Sequence, residues 1–301
     1  VTDANRIPDW IAVDWGTSRL RAWAMSASGE VLDTASSDDG MGRLTSDAFE
    51  PALRALTGSW LPAGGLASVP VIACGMVGAR QGWVEAAYGR VPCPPLGPDL
   101  TRAPGTMDVR IIAGLSQASP PDVMRGEETQ IAGLIALRPG WDGVVCLPGT
   151  HSKWAEISAG EVVSFRSFMT GELYAALAEH SVLRHSLTAE ETEVAAFDAA
   201  VSETLSRPER LAGGLFGIRA AGLLDGLEPR AARGRLSGLL IGAELAAAKP
   251  YWLGREVALI GAGPLAALYA RALTAQGVPA EAFDATDTTL AGLTAAWKDQ
   301  Q

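Results

Sequence analysis

The stretch Ile11-Ala-Val-Asp14-Trp-Gly-Thr-Ser18-Arg-Leu-Arg-Ala-Trp23 decides the fold. Residues up to Val13 have strand character, a Gly-Thr-Ser turn follows Asp14-Trp15, and a second strand-like run begins at Leu20. Such a β-hairpin gathers backbone N–H groups and the hydroxyls of Thr17 and Ser18 beside the Asp14 carboxylate. That is a phosphate cradle with a place for a hydrated cation. The design recurs about 130 residues later in Val144-Val-Cys-Leu-Pro-Gly149-Thr-His-Ser-Lys153. Beyond the turns, Ala22-Trp-Ala-Met and Gly29-Glu-Val-Leu match Trp154-Ala-Glu-Ile and Gly160-Glu-Val-Val. Two strand–turn–strand–turn–strand units imply two related domains facing one ligand.

The 301 residues suffice for about two domains, each with its own core. A hydrophobic content of 48% with 19% charged residues is that of an ordinary globular protein. The net charge of −10 argues against a nucleic-acid partner, so an anionic ligand must be met by a few placed cations and N–H groups. Cys74, Cys93 and Cys146 show no Cys-x-x-Cys spacing and are expected to be reduced thiols. No apolar run reaches membrane-spanning length, and the expected compartment is the cytoplasm.

The first half reads as strands at 10–13, 21–26 and 31–36, a helix at 47–57 opened by Ser46, and buried strands at 69–74 and 109–113. Residues 75–98 are rich in glycine and proline and read as loop. A helical pattern follows Gly126 to about Leu137, and the second β-β-β unit occupies 143–168. Helices are expected at 172–180, 190–205, 211–224 and 230–249, the last stopped by Pro250. A strand at 257–260 leads into a helix at 265–276, and a terminal helix is expected at 288–297. The architecture is α/β, two mixed sheets carrying helices with a cleft between them. The expected division is into residues 1–120 and 121–301 with a compact hinge near 115–130, the terminal helix free to pack back on the first domain.

Four segments carry chemistry. Asp14 ends a buried strand, where a carboxylate needs hydrogen bonds or a cation. Thr17, Ser18 and Arg21 could complete the phosphate contacts. The second hairpin lacks an acid, Leu147-Pro148 standing where Asp14-Trp15 stands, and adds His151, Ser152 and Lys153. Lys153 fits either a transferring phosphate or a solvated strand end. In Met124-Arg-Gly-Glu-Glu-Thr-Gln130, Glu127 and Glu128 sit at a helix N-terminus that favours negative charge. A rigid carboxylate there suits a general base for a hydroxyl nucleophile. Finally, Gly261-Ala-Gly-Pro264, with Asp284 downstream, mimics a dinucleotide fingerprint. Only about 40 residues follow Gly261, too few for the rest of such a sheet. The turn fits an adenosine or its phosphates at the edge of a different site.

Taken in order, these segments resemble the sugar kinase/heat-shock/actin superfamily, and in detail the 2-dehydro-3-deoxygalactonokinase family. The resemblance rests on Ala12-Val-Asp-Trp-Gly-Thr, Gly75-Met-Val-Gly, Gly82-Trp, Val123-Met-Arg-Gly-Glu-Glu-Thr-Gln, Pro148-Gly-Thr-His-Ser-Lys-Trp, Met169-Thr-Gly-Glu-Leu and Ser237-Gly-Leu-Leu-Ile-Gly-Ala-Glu. It implies two duplicated ribonuclease H-like (actin-like ATPase) domains with mixed sheets flanked by helices. It also implies transfer of the ATP γ-phosphoryl group to the 6-hydroxyl of 2-dehydro-3-deoxy-D-galactonate, in D-galactonate breakdown. Glu127 would accept the hydroxyl proton, with Glu128 the fallback, since this chain carries Glu where many relatives carry Asp. Asp14 would orient Mg²⁺ through water. Gly16, Thr17, Ser18, Gly149, Thr150, His151, Ser152 and Lys153 would surround the phosphates, with Gly261, Ala262, Gly263 and Pro264 near the adenosine. Arg125, Arg43 and Arg166 are candidates for the substrate carboxylate, Arg125 favoured. Trp83 and Tyr88 are candidate walls of the sugar site. The rivals are a kinase of another sugar or sugar acid and a non-catalytic sensor on the same scaffold. Oligomeric state stays open, a homodimer among the options.

Overall fold

The computed structural model describes residues 7–61 and 69–301. Among the described residues the strands are β1 (Trp10–Trp15), β2 (Leu20–Met25), β3 (Val31–Ser37), β4 (Val71–Gly75), β5 (Tyr88–Arg90), β6 (Thr101–Arg102), β7 (Val109–Ile111), β8 (Gly114–Ala118), β9 (Pro121–Met124), β10 (Gly143–Leu147), β11 (Ser152–Ser158), β12 (Glu161–Phe168), β13 (Val257–Ile260) and β14 (Glu281–Phe283). The α-helices are α1 (Phe49–Thr57), α2 (Glu127–Leu137), α3 (Thr170–His180), α4 (Val194–Ser206), α5 (Leu211–Leu224), α6 (Pro229–Ala247), α7 (Lys249–Trp252), α8 (Gly263–Thr274) and α9 (Ala285–Lys298). The chain divides into two compact units, Val1–Trp141 with Ser158–Ser164 and Asp284–Gln301, and Asp142–Ile157 with Phe165–Phe283.

In the first unit the large sheet runs β3-β2-β1-β4-β7-β6. β1 is antiparallel to β2 and parallel to β4, which is parallel to β7. Strand alternation explains how β1 is buried on both faces. Ile11, Val13 and Trp15 point into a core with Phe49 and Leu53 of α1. Trp10 and Ala12 point the other way, toward Leu293, Ala296 and Trp297 of α9. Trp10 and Trp297 stack with ring centroids 5.3 Å apart. Asp14 continues this second phase, so the alternation that buries Ala12 places the carboxylate at the carboxyl end of the strand on the α9 face. α9 in turn crosses α2 backbone to backbone: a Cβ on Gly133 would lie 1.8 Å from the Thr288 carbonyl oxygen, and one on Gly292 1.9 Å from that of Thr129. No side chain fits there, and the pair of glycines fixes where α2 begins.

The second unit's sheet runs β12-β11-β10-β13-β14. β10 is antiparallel to β11 and parallel to β13, which is parallel to β14. The order and sense match those of β3-β2-β1-β4-β7, so the duplicated hairpins stand in duplicated sheets. The core behind β10 gathers Val144, Cys146, Trp154, Phe197, Ile241, Leu245, Leu259 and Tyr269.

Several element bounds differ from the sequence reading. The first helix starts at Phe49 with Ala48 at its cap position and no side-chain cap, so Ser46 does not open it. The helix expected from 190 starts at Val194, leaving Glu190 and Thr192 in a loop. Pro250 does not end the chain's helical run: α6 stops at Ala247 and Pro250 sits in the first turn of α7, where its missing N–H matters least. The stretch read as loop hides β5, which joins β8 and β9 in a small sheet. Asp284 caps α9, accepting from Thr286 N–H at 2.7 Å and Asp287 N–H at 3.1 Å. Among the described residues no helix is long and apolar enough to cross a membrane.

Candidate active site

In the first unit the site residues collect at the carboxyl ends of β1 and β4, where ligands of open α/β sheets bind. Asp14 stands opposite Arg21 in the β1–β2 register. Arg21 Nη2 forms an ion pair with Asp14 Oδ2, Nε donates to the same oxygen at 3.1 Å, and Nη1 donates to Thr286 Oγ1 at 3.2 Å. Asp14 Oδ1 faces the Cys74 thiol at 3.8 Å. Burial first, then the Asp14 and Glu128 charges, push that thiol well above its ordinary pKa. Both carboxylates therefore converge on Cys74. Gly16, Thr17 and Ser18 form the turn, the latter two exposed, and it is stitched to the 39–43 loop. Met41 N–H donates to the Gly16 carbonyl at 3.0 Å, Gly42 N–H to that of Thr17 at 2.9 Å, and the Trp15 indole to that of Asp39 at 2.8 Å. Arg43 is exposed on this loop and donates to the Asp38 carbonyl at 3.3 Å, which places it beside the first hairpin.

The turn before α2 is made possible by two glycines. Gly126 has φ +104°, and a Cβ on it would stand 3.2 Å from Gly75 Cα. Gly75 has φ +91°, and a Cβ on it would stand 2.7 Å from the Trp15 carbonyl oxygen. The end of β1, the end of β4 and the start of α2 thus touch through bare backbone. Glu127 is half-buried and its Oε2 accepts from Arg125 N–H at 3.1 Å. Glu128 is fully buried; its Oε2 accepts from Gly126 N–H at 2.6 Å and its Oε1 from Thr129 Oγ1 at 3.1 Å. Burial foremost, and then the Glu127 charge, push Glu128 up to about 7. A residue with no exposed surface cannot touch an incoming hydroxyl, so of the two glutamates Glu127 is the one with access.

Arg125 is 8% exposed. Its Nη2 donates to the Ala86 carbonyl at 2.7 Å, and its guanidinium lies 4.3 Å from the centre of the Tyr88 ring. Nε and Nη1 are buried with no hydrogen-bond partner among the described residues, and Nη1 approaches Gly78 so closely that a Cβ there would lie 2.9 Å away. Tyr88 is therefore a cation–π partner of Arg125. Trp83 is a correction: it is 7% exposed and packs on Trp15 and Phe49 with centroids 6.1 and 6.0 Å away, so its ring fills the core and offers no wall to a ligand.

In the second unit, Leu147 pairs with Lys153 where Asp14 pairs with Arg21, so each hairpin carries a cation across from the equivalent position. Thr150 and His151 are exposed, and His151 Nε2 meets Glu172 Oε2 at 2.5 Å. Lys153 is 4% exposed and Nζ donates to the His151 carbonyl at 3.2 Å, so it is an internal brace of the turn and no solvated strand end. Ser152 is also a correction: it is fully buried and its hydroxyl donates to Glu244 Oε2 at 2.8 Å, turned away from any phosphate on the hairpin. Arg166 is exposed on β12.

A cavity of about 460 Å³ opens beside this hairpin, a volume suited to a nucleoside. Its walls include Gly149, Thr150, Thr170, Gly171, Tyr174, Glu190, Thr192, Arg233, Ser237 and Leu240, with Pro264, Leu265 and Leu268 at the start of α8. Gly149, Thr150 and Pro264 are thereby brought together, and Gly261, Ala262 and Gly263 form the β13–α8 turn leading to Pro264. Arg233 lies 5.6 Å from the centre of the Tyr174 ring, with Nε buried and without a hydrogen-bond partner among the described residues. Sequence reasoning missed Tyr174, Arg233, Glu190 and Thr192, which no local pattern marks. Thr170, Gly171 and Ser237 were within quoted motifs but unassigned.

The described geometry has relatives. Residues 14–296 match the family described as 2-keto-3-deoxy-galactonokinase. A protein named as a probable 2-dehydro-3-deoxygalactonokinase in Rhizobium meliloti is 41% identical over 296 residues, covering 95% of this chain and 96% of that one. The 2-dehydro-3-deoxygalactonokinase of Escherichia coli is 35% identical over 289 residues, covering 94% and 96%. The crystal structure of a Sinorhizobium meliloti protein assigned the same activity superposes with a TM-score of 0.90 at 40% identity, covering 96% of this chain and 98% of that one. The chain belongs to the 2-keto-3-deoxy-galactonokinase family of carbohydrate kinases.

Proposed function

We propose that this chain transfers the γ-phosphoryl group of ATP to the 6-hydroxyl of 2-dehydro-3-deoxy-D-galactonate, giving 2-dehydro-3-deoxy-6-phospho-D-galactonate in D-galactonate breakdown. The observation that carries the reading is the Arg125–Gly126–Glu127 turn. Arg125 is a buried guanidinium, two of whose nitrogens have no hydrogen-bond partner among the described residues. Its positive charge beside the turn favours a substrate carboxylate, and the adjacent half-buried Glu127 supplies a base. One turn then holds both distinguishing features of a sugar acid that is phosphorylated at a hydroxyl.

In this reading the hydroxyl oxygen attacks the γ-phosphorus, the bridging oxygen leaves with ADP, and the proton passes to Glu127. Its carboxylate is held ready by the Arg125 N–H at 3.1 Å. The nucleoside occupies the cavity walled by Tyr174, Arg233 and Leu265, with the phosphates along Gly149 to His151. The protein's work is chiefly positioning and charge stabilisation. Among the described residues no three His, Cys, Asp or Glu side chains gather as a metal cage. A single carboxylate, Asp14, fits Mg²⁺, which keeps most of its waters and takes phosphate oxygens. When bound, the ion would neutralise developing phosphate charge.

An ADP-release assay over a panel of aldonic acids, 2-keto-3-deoxy acids and neutral hexoses tests the substrate. Best turnover on a neutral hexose would sink the sugar-acid reading. Glu127→Gln should lower kcat by about 100-fold or more with little change in ATP affinity. Normal turnover in that variant would remove Glu127 from the chemistry.

A further inference from the structure

The segment from Ser237 ends on a carboxylate that phosphoryl transfer does not use. Glu244 on α6 is 3% exposed. Its Oε1 accepts from the Trp154 indole N–H at 2.8 Å. Its Oε2 accepts from Ser152 Oγ at 2.8 Å, from the Tyr269 hydroxyl at 2.7 Å and from Thr170 Oγ1. Four uncharged donors thus close on one buried carboxylate. Burial above all, and then the Glu244 charge, hold the Tyr269 phenol well above its ordinary pKa, so its O–H stays a donor.

Each donor lies on, or directly follows, a segment that lines the cavity. Ser152 closes the hairpin of Gly149 and Thr150, and Trp154 is two residues on, on the same face of β11. Thr170 opens α3, Tyr269 lies one turn beyond Leu265 on α8, and Glu244 lies one to two turns beyond Ser237 and Leu240 on α6. The hairpin is also tied directly to α3. Glu172 N–H donates to the Thr150 carbonyl at 2.9 Å, and a Cβ on Gly171 would lie 2.3 Å from the Gly149 carbonyl oxygen. A shift of Thr170 therefore moves the hairpin backbone with it.

We infer that Glu244 is a positioning residue for the nucleotide, fixing the phosphate hairpin, α3 and α8 against α6 before ATP arrives. The inference rests on the reading of the cavity as the ATP site. A preassembled hairpin spares the ordering cost that binding would otherwise carry. Removing the carboxylate takes that acceptor from the Tyr269 and Thr170 hydroxyls and the Trp154 indole N–H, leaves the Ser152 hydroxyl with only the Phe168 carbonyl at 3.4 Å, and deprives the walls of their common anchor.

The test measures binding of a non-hydrolysable ATP analogue by calorimetry, with kcat and both KM values, well below each variant's melting temperature. Glu244→Gln should raise the nucleotide Kd and the ATP KM by about tenfold or more, with the sugar-acid KM unchanged. Tyr269→Phe removes one donor from a residue that does not line the cavity. It should raise the same two constants about threefold, which keeps the inference testable if Glu244→Gln does not fold. A lowered Tm with unchanged nucleotide Kd in the folded variants would overturn it, leaving Glu244 a core residue only. A wild-type chain that turned over sugar acid without binding the analogue in this cavity would instead overturn the ATP-site reading itself.

Discussion

Glu128 offers a quantitative test of the site's electrostatics. Its carboxylate has no exposed surface. Burial foremost, then the Glu127 charge, raise its pKa from 4.5 to about 7, against the backbone N–H groups of Glu128 and Gly126 and the Arg125 charge. A folded-state value above the unfolded one means the native protein binds the proton more tightly. Its contribution to stability is full below the unfolded value and is lost as pH rises through the folded one. The shift from 4.5 to about 7 corresponds to about 3 kcal/mol. Glu128→Gln keeps the size and an acceptor for the Gly126 N–H but cannot ionise. Relative to wild type it should therefore gain about 3 kcal/mol between pH 4.5 and pH 8, a Tm difference growing by roughly 5–10 °C. Urea or thermal unfolding of both proteins at half-unit pH steps reads this directly. A wild-type-minus-variant difference that stays flat across the range would refute the argument, since Glu128 would then carry the same charge folded and unfolded.

Three further outcomes follow from the same turn and its neighbours. Gly126→Ala must strain a backbone at φ +104° and press on Gly75, so it should lose about 1–3 kcal/mol of stability and about tenfold in kcat; wild-type turnover would show that the turn does not set the position of Glu127. Arg125→Met removes a buried cation along with its hydrogen bond to the Ala86 carbonyl and its contact with the Tyr88 ring, so the sugar-acid KM should rise about 100-fold with some loss of Tm while the ATP Kd barely moves; a fall in Tm with unchanged KM would make Arg125 a structural residue. Asp14→Asn should raise the Mg²⁺ concentration for half-maximal rate about tenfold, and an unchanged metal dependence would leave Asp14 as no more than the partner of Arg21.

Much of this arrangement was legible in the sequence because it is local. The Gly-Thr hairpins, the strand alternation of Trp10 to Trp15 and the Gly126 turn are each set within a few residues, and their repetition at Gly149 led to the duplicated sheets. The parts that stayed hidden depend on distant packing. Trp83 looked like a binding aromatic in a glycine-rich loop, but its neighbours Trp15 and Phe49 come from other elements and draw it into the core. Ser152 looked like a phosphate ligand, but Glu244, 92 residues on, takes its hydroxyl. Tyr174 and Arg233 lie on two helices whose crossing, not their spacing, places them at the cavity. The strand β5 is three residues long and becomes a strand only beside β8.

Product analysis by phosphorus–carbon NMR, after incubating the wild-type chain with ATP, Mg²⁺ and 2-dehydro-3-deoxy-D-galactonate, reads the proposed phosphoryl transfer most directly. The expected products are ADP and a single phosphomonoester whose phosphorus couples to C6 of the sugar acid. Phosphate on another oxygen, or ATP left intact in the presence of the sugar acid, would contradict it.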